Sequence, residues 1–317
     1  MNAAPILTSR SALSRLKFFF ALSRTPHGLL DLAAPALAAL LGYGAFPPLR
    51  VTLLGIMTAF AGYTAVYALN DLVDYRVDRE KLKRGGFRET DHYLDNVLVR
   101  HPLAYGLLGF REALLWAIAW ALLALIGAAL LNPTCIVIFL GGGVLETVYC
   151  LLWRTSHLRT LVSGAVKTSG GLAAVFAVDP HPSGSFLIVL FLWLFFWEIG
   201  GQNIPADWTD VEEDQMLQAK TIPVRFGPDR SWGIILLSLL LAVGLNGVLF
   251  SFSRIAFNLP AIAVSTMAGL YLLLLPAYRL YRTKEKLQAS LLFNRASYYP
   301  LSLLAVVSLY LVFFDLA

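Results

Sequence analysis

Nine runs of roughly 20 apolar residues, at about 27–46, 51–70, 105–130, 134–152, 161–178, 185–204, 232–252, 259–278 and 297–315, take up most of this chain. Each is long enough, as a helix, to cross a hydrocarbon core, which leaves little sequence for anything but turns. The separators are helix punctuation: Phe46-Pro47-Pro48, Asn132-Pro133 and Asp179-Pro180-His181-Pro182-Ser183-Gly184. Composition excludes a soluble globule. Of 317 residues, 58% are hydrophobic and 14% charged, with mean hydropathy +0.67, whereas soluble domains carry about 25% charged residues. The expected fold is all-α: a multi-pass transmembrane helical bundle of nine spans, one domain over 1–317, with its termini on opposite sides of the bilayer.

Orientation follows from the loop bases. Of the 25 Lys and Arg, 22 fall on one set of loops and only Arg50 and Arg254 on the other, while Lys167 lies inside a span. The basic face is expected to be cytoplasmic, in an inner (plasma) membrane of bacterial type. Residues 1–25 carry Arg10, Arg15 and Lys17 beside Phe18-Phe19-Phe20, which reads as an interfacial amphipathic helix rather than a cleaved signal. Segments 71–104 and 205–231 are expected to be cytoplasmic loops that cap the functional site. Cys135 and Cys150 are too few for a disulfide scaffold or a thiolate metal site and read as packing residues. Membrane lipid is the expected surrounding; nothing points to nucleic acid or to an obligate protein partner.

Acidic residues concentrate in two places, both at the basic-side ends of spans. The first is Asn70-Asp71-Leu72-Val73-Asp74-Tyr75-Arg76-Val77-Asp78 and the second Asp207-Trp208-Thr209-Asp210-Val211-Glu212-Glu213-Asp214; both read D-x2-D-x3-D. On an α-helix, offsets of 3 and 7 residues keep three carboxylates within an arc of roughly 60°. Three like charges on one stripe repel one another and call for a cation. Oxygen ligands without a His/Cys cluster favour Mg²⁺, which commonly bridges one or two carboxylates to substrate phosphates. Asp71, Asp74, Asp78, Asp207, Asp210 and Asp214 are therefore the candidate catalytic carboxylates. Bases follow each stripe: Arg79, Lys83 and Arg84 with Gly85-Gly86, then Lys220-Thr221-Ile222-Pro223-Val224-Arg225-Phe226-Gly227. Lys83, Arg84, Lys220 and Arg225 are candidate phosphate contacts.

These residues resemble the UbiA superfamily of intramembrane prenyltransferases. Asn70 to Asp78 matches that family's N-D-x2-D-x3-D motif at each defined position, and Asp210-x3-Asp214 with Lys220-Thr221 and Pro223 to Gly227 resembles its second motif and tail. The resemblance covers nearly the whole chain. It implies Mg²⁺-dependent transfer of a prenyl group from an isoprenyl diphosphate to an acceptor, often aromatic. By the same likeness Asn70, Asp74, Asp210 and Asp214 lead in holding the metal and diphosphate, Asp71, Asp78 and Asp207 assist, and Tyr149 and Arg154 resemble a tyrosine and basic pair that ends the family's fourth span. Lys83-Arg84-Gly85-Gly86-Phe87-Arg88 stands where many members have Arg-Pro-Leu, and Ala206 where some have an asparagine.

Asp31, Glu146, Lys167 and Glu198 lie within or near the apolar runs, where a central charge costs about 2.5–3.5 kcal/mol on insertion scales. Such groups face cavities or pair. Lys167 is expected to pair with Glu198 or Glu146, and Lys167, Glu198, Gln202 and Asn203 to line an acceptor pocket, whereas Asp31 lies near enough to a span end to reach the interface. His92 and His101, with Asp91 and Asp95, read as a solvated charged loop. Two other functions fit the same residues: a terpene cyclase that uses the same ionisation site, and a cation or solute transporter with carboxylates as ion ligands. The transporter expects its binding groups near the midplane, and the acid stripes stand at the boundary instead.

Overall fold

In the computed structural model, residues 12–84, 94 and 98–314 are described. Fifteen helices follow one another: α1 Ala12–Leu22, α2 Thr25–Asp31, α3 Ala33–Tyr43, α4 Leu49–Lys83, α5 Phe110–Leu131, α6 Pro133–Leu151, α7 Arg159–Val178, α8 Gly184–Trp197, α9 Ile204–Thr209, α10 Val211–Met216, α11 Ile222–Phe252, α12 Leu259–Gly269, α13 Leu275–Thr283, α14 Lys286–Ser297 and α15 Tyr299–Phe314. Wide π-helical turns at Glu198–Asn203 and Leu270–Leu274 join α8 to α9 and α12 to α13. The expected Asn132-Pro133 separator operates as a cap, and Asn258 is a second cap of the same kind. Asn132 accepts from the Thr134 N–H at 2.9 Å ahead of Pro133, and Asn258 accepts from the Ala261 N–H at 3.0 Å ahead of Pro260.

Among the described residues, eight helices rather than nine are long and apolar enough to cross a membrane. The exception is the 27–46 run, which folds as the short pair α2 and α3. Pro35 has no N–H to offer the carbonyl of Asp31, and the helix is interrupted there. Large apolar side chains such as Met57, Val137 and Leu259 are exposed on the outside of the bundle; in lipid they face acyl chains.

Two features position the site. Helix α4 has 35 residues, roughly 52 Å of rod against a hydrocarbon core of roughly 30 Å, so its acidic end reaches the boundary. Segment 71–83, expected as a loop, is therefore helix, because nothing between Asn70 and Lys83 breaks it. The other feature is the core around Trp193, Trp197, Leu239, Leu292 and Tyr299, which ties α8, α11, α14 and α15 together. Pro300 leaves the Ala296 carbonyl without its helical donor, and the Trp197 indole N–H donates to it at 3.0 Å. Close packing at the wide turn needs glycine. A Cβ at Gly200 would lie 2.9 Å from the Ile235 carbonyl oxygen, and one at Gly201 2.8 Å from the Ala296 Cβ.

Candidate active site

A cavity of about 540 Å³ runs inside the bundle, lined from α2 to α7, the Glu198–Asn203 turn, α9 and α10, with a few positions from α14 and α15. One end is crowded with charge. Asp74, Asp78, Lys81, Arg100, His101, Arg159, Asp207, Asp210 and Asp214 all line it. On α4 the stripe converges: Asp71 and Asp78, two turns apart, lie 3.3 and 2.9 Å from Nδ1 of His101. Burial pushes the imidazole down, but Asp78 and Asp71 outweigh it and hold His101 up at about 9. A candidate metal-binding trio, Asp71, Asp78 and His101, has its ligand atoms within 4.8 Å of one another. The protonated ring has no lone pair to give and acts there as a cation. Asp71 also lies 3.7 Å from Arg24. Between them, Asp74 makes no ion pair among the described residues.

The second stripe does not fold as one stripe. The helix stops at Thr209 and restarts at Val211, with Asp210 at φ −101°, ψ 11°. Its three carboxylates reach different segments. Asp207 lies 3.6 Å from Arg159 on α7. Asp210 receives both terminal nitrogens of Arg100, at 3.2 and 2.6 Å, and Asp214 lies 3.3 Å from Lys81 on α4. Burial works against the Asp210 charge, yet Arg100 and Lys81 hold its carboxyl well below the usual range. For Asp214 burial prevails and pushes the carboxyl up despite Lys81.

The phosphate-binding candidates fare unevenly. Lys83, Arg84, Lys220 and Arg225 are exposed and do not line the cavity. Arg84 pairs with Glu80 at 2.8 Å and donates to the Met216 carbonyl, while the backbone of Lys220 docks on the Trp153 carbonyl at 2.9 Å and its side chain points out. Arg154 also turns outward, 2.6 Å from Glu80. Gly85, Gly86, Arg88, Asp91, His92 and Asp95 lie outside the described residues. The bases that do line the acidic end are Arg24, Lys81, Arg100, His101 and Arg159, which the sequence presents only as loop charges. Lys81 carried a signal: it follows Asp74 and Asp78 by 7 and 3 positions and so shares their face of α4.

Asn70 sits at the neck of the cavity. Its Nδ2 donates to Glu146 at 2.6 Å and to the Cys150 sulfur at 3.3 Å, and its Oδ1 accepts from Arg24 at 3.1 Å. Tyr149 carries Arg159 over its ring at 4.0 Å and accepts at its hydroxyl from Asn203 Nδ2 at 3.0 Å. Beyond the neck is a second polar layer. Lys167 pairs with Asp31 at 2.7 Å, not with Glu198 or Glu146; Asp31 is buried, accepts from the Tyr67 hydroxyl and lies 3.5 Å from His27. Buried Asp31 therefore meets its cation inside the bundle rather than reaching an interface. Glu198 instead accepts from Ser163 at 2.7 Å. The rest of the cavity is apolar, lined by residues such as Val51, Ile56, Ala128, Ile138 and Ala174.

Known proteins are similar to this chain in sequence and in fold. The model of the UbiA prenyltransferase family matches residues 32–299. A 4-hydroxybenzoate octaprenyltransferase of Vibrio cholerae serotype O1 is 29% identical over 225 residues, which is 69% of this chain and 74% of that protein. The enzyme of the same name from Shewanella denitrificans is 26% identical over 71% of this chain and 73% of its own length. Among solved structures, the apo UbiA homologue from Aeropyrum pernix K1 superposes with a TM-score of 0.70 at 18% identity, over 92% of this chain and 98% of that one. A UbiA homologue from Archaeoglobus fulgidus bound to DMAPP and Mg²⁺ gives 0.66 at 21%, over 92% and 99%. A family match across most of the chain, on a bundle of membrane-length helices around one charged cavity, makes this chain a multi-pass membrane prenyltransferase of the UbiA prenyltransferase family.

Proposed function

We propose that this chain transfers a prenyl group from an isoprenyl diphosphate to a separate acceptor inside the membrane, with Mg²⁺ at the acidic end of the cavity. The observation that carries the reading is unmet oxygen. Asp74 has no ion pair among the described residues, and Oδ2 of Asp207 and Oδ1 of Asn203 are buried without a hydrogen-bond partner. An all-oxygen donor set of this kind fits a hard cation. Asp74, Asp207 and Asn203 would hold Mg²⁺, with Asn70, Asp71, Asp78, Asp210 and Asp214 around them. When bound, Mg²⁺ neutralises the charge that builds on a departing diphosphate. Lys81, Arg100 and Arg159 line the same end and are suited to bind phosphate oxygens, trading a carboxylate partner for a phosphate one. Cavity-lining positions run along α4 from Val51 to Lys81; thirty residues of α-helix are roughly 45 Å. That length supports a long prenyl tail, lying in the apolar part of the cavity and shielded from water. The polar layer around Asp31, Lys167 and Glu198 favours a second substrate over cyclisation of the prenyl chain on itself.

Titration of geranyl diphosphate into the detergent-solubilised chain tests the metal site. Binding is expected with Mg²⁺ and lost with chelator, and wild type that binds equally well without metal overturns the reading. Tail length has its own check. A Cβ at Gly55 meets nothing within 4 Å and the residue lines the cavity, so Gly55→Trp should reduce use of long polyprenyl diphosphates while geranyl diphosphate remains a substrate. The acidic mouth is proposed to face the cytoplasm of a bacterial inner membrane, on the 22-to-2 division of loop bases. A cysteine placed at Gln215 should then label from the cytoplasm and one at Ser183 from the other side; the reverse pattern excludes this orientation.

A further inference from the structure

Beyond the neck, the cavity presents acceptor oxygens that nothing in the protein fills. Glu198 and Gln202 are 7% and 3% exposed, belong to one wide turn and line the cavity. Oε1 of Glu198 is satisfied by Ser163, but its Oε2 has no partner. The orientation of the Gln202 amide is set by its Nε2, which donates to the Phe293 carbonyl at 3.3 Å and to Ser297 at 3.1 Å; Oε1 is left without a donor. Glu198 and Gln202 are one turn apart on the same wall. Buried oxygens without donors are rare in folded proteins, and π turns gather at functional sites.

Carboxyl groups gather at this depth, and the nearby cations make their closest ion pairs with other acids. Lys167 is matched by Asp31 at 2.7 Å. Arg24 and Arg159 are engaged nearer the mouth, by Asp71 at 3.7 Å and Asp207 at 3.6 Å. His27 also faces Asp31, at 3.5 Å. That leaves two further carboxyl groups in the layer: Glu146, which accepts from Asn70, and Glu198. An anionic ligand on this wall meets two carboxyl groups and the Gln202 oxygen, and the donor it finds beside them is the neutral, unpartnered Tyr63 hydroxyl. A hydroxyl meets an acceptor.

We infer that the Glu198–Gln202 part of this turn is the acceptor subsite, and that it takes a hydroxyl-bearing molecule without negative charge, its hydroxyl donating to Glu198. This rests on the prenyl-transfer reading and departs from the carboxylate-bearing acceptor in the names of the curated relatives, 4-hydroxybenzoate octaprenyltransferases.

Two probes that share the phenol and differ in charge and one methyl group separate the alternatives: 4-hydroxybenzoate and its methyl ester, titrated near pH 7 into the full-length solubilised protein. The ester is expected to bind about tenfold or more tightly than the acid. Glu198→Gln should weaken the ester about tenfold and leave the acid unchanged or tighter, because the carbon framework stays and only the charge and one acceptor go. Ser163→Ala, which frees Oε1 without touching the charge, should change ester affinity by about threefold or less; it serves as the second variant should Glu198→Gln fail to fold by thermal unfolding. Acid binding at least as tight as ester binding, a Glu198→Gln change that moves both probes alike, or no binding of either probe overturns the inference. Mg²⁺-dependent geranyl diphosphate binding, measured on the same samples, tells the failures apart: if it persists, only the acceptor subsite falls, and if it is absent, the prenyl-transfer reading falls with it.

Discussion

The two acidic segments have the same spacing and opposite designs. On α4 the three aspartates ride one unbroken helix, and Asp71 and Asp78 close on a single imidazole while Asp74 keeps its carboxylate unpaired. After α9 the same spacing is bent at Asp210, and the three carboxylates go to Arg159, Arg100 and Lys81, on three separate segments. One is a wall and the other a tie between elements. A shared motif therefore sets which groups are present, whereas the helix beneath it decides whether they act on one point or hold three pieces of chain together.

The largest effect should separate wall from tie. Asp74→Asn is expected to lower turnover roughly 10²–10³-fold, the scale of losing one electrostatic contributor, with no change in melting temperature, because no ion pair is lost. If the variant melts as early as an Asp210 variant, the distinction fails. Asp210→Asn comes next: losing the bidentate contact with Arg100 should cost about 1.5–3 kcal/mol of stability, seen as an earlier thermal transition, besides any loss of activity. A double-mutant cycle on Lys81→Met and Asp214→Asn should give a coupling energy of about 1–2 kcal/mol, and a value near zero would remove the tie between α4 and α10. The smallest change is Thr209→Val. Its hydroxyl donates to the Ala206 carbonyl at 2.7 Å and lies 3.3 Å from Asp210 Oδ1, so the variant should lose about 0.5–1.5 kcal/mol, with Asp210→Asn suppressing part of the effect.

What could be read in advance follows the same division. The wall was legible because no proline interrupts the helix from Leu49 to Lys83, so it keeps its phase and spacing translates directly into geometry. The bend at Asp210 was not, since nothing in Thr209-Asp210-Val211 is a strong breaker and the break depends on contacts made far away. Arg100 and His101 reach their aspartates across 110 and at least 23 positions, distances over which periodicity says nothing. Lys220 and Arg225 misled for a related reason: adjacency in sequence to Asp214 is not adjacency in space, and both side chains point outward. The 27–46 run had the right composition for a span, but Pro35 divides it. Lys167 and Glu198, by contrast, were legible as cavity residues from the cost of placing them in lipid, although not the pairing of Lys167 with Asp31.

The wide turn at Glu198–Asn203 has a consequence for rotation. Glu198 and Asp207 are nine positions apart, which in a regular α-helix is about 900° and places them on opposite faces. Both line the cavity. Hydrogen bonds from i to i+5 absorb about one residue, so the pair behaves as though eight apart, about 800°, and the two side chains fall within about 80° of each other. The segment is a phase corrector between the two chemical layers. Deleting one of its residues restores an ordinary α-helix with both carboxyl groups still facing inward. Any contact that pulled the intact turn back into α geometry would instead crank everything beyond it, Asp207 first, by about 100° out of the cavity.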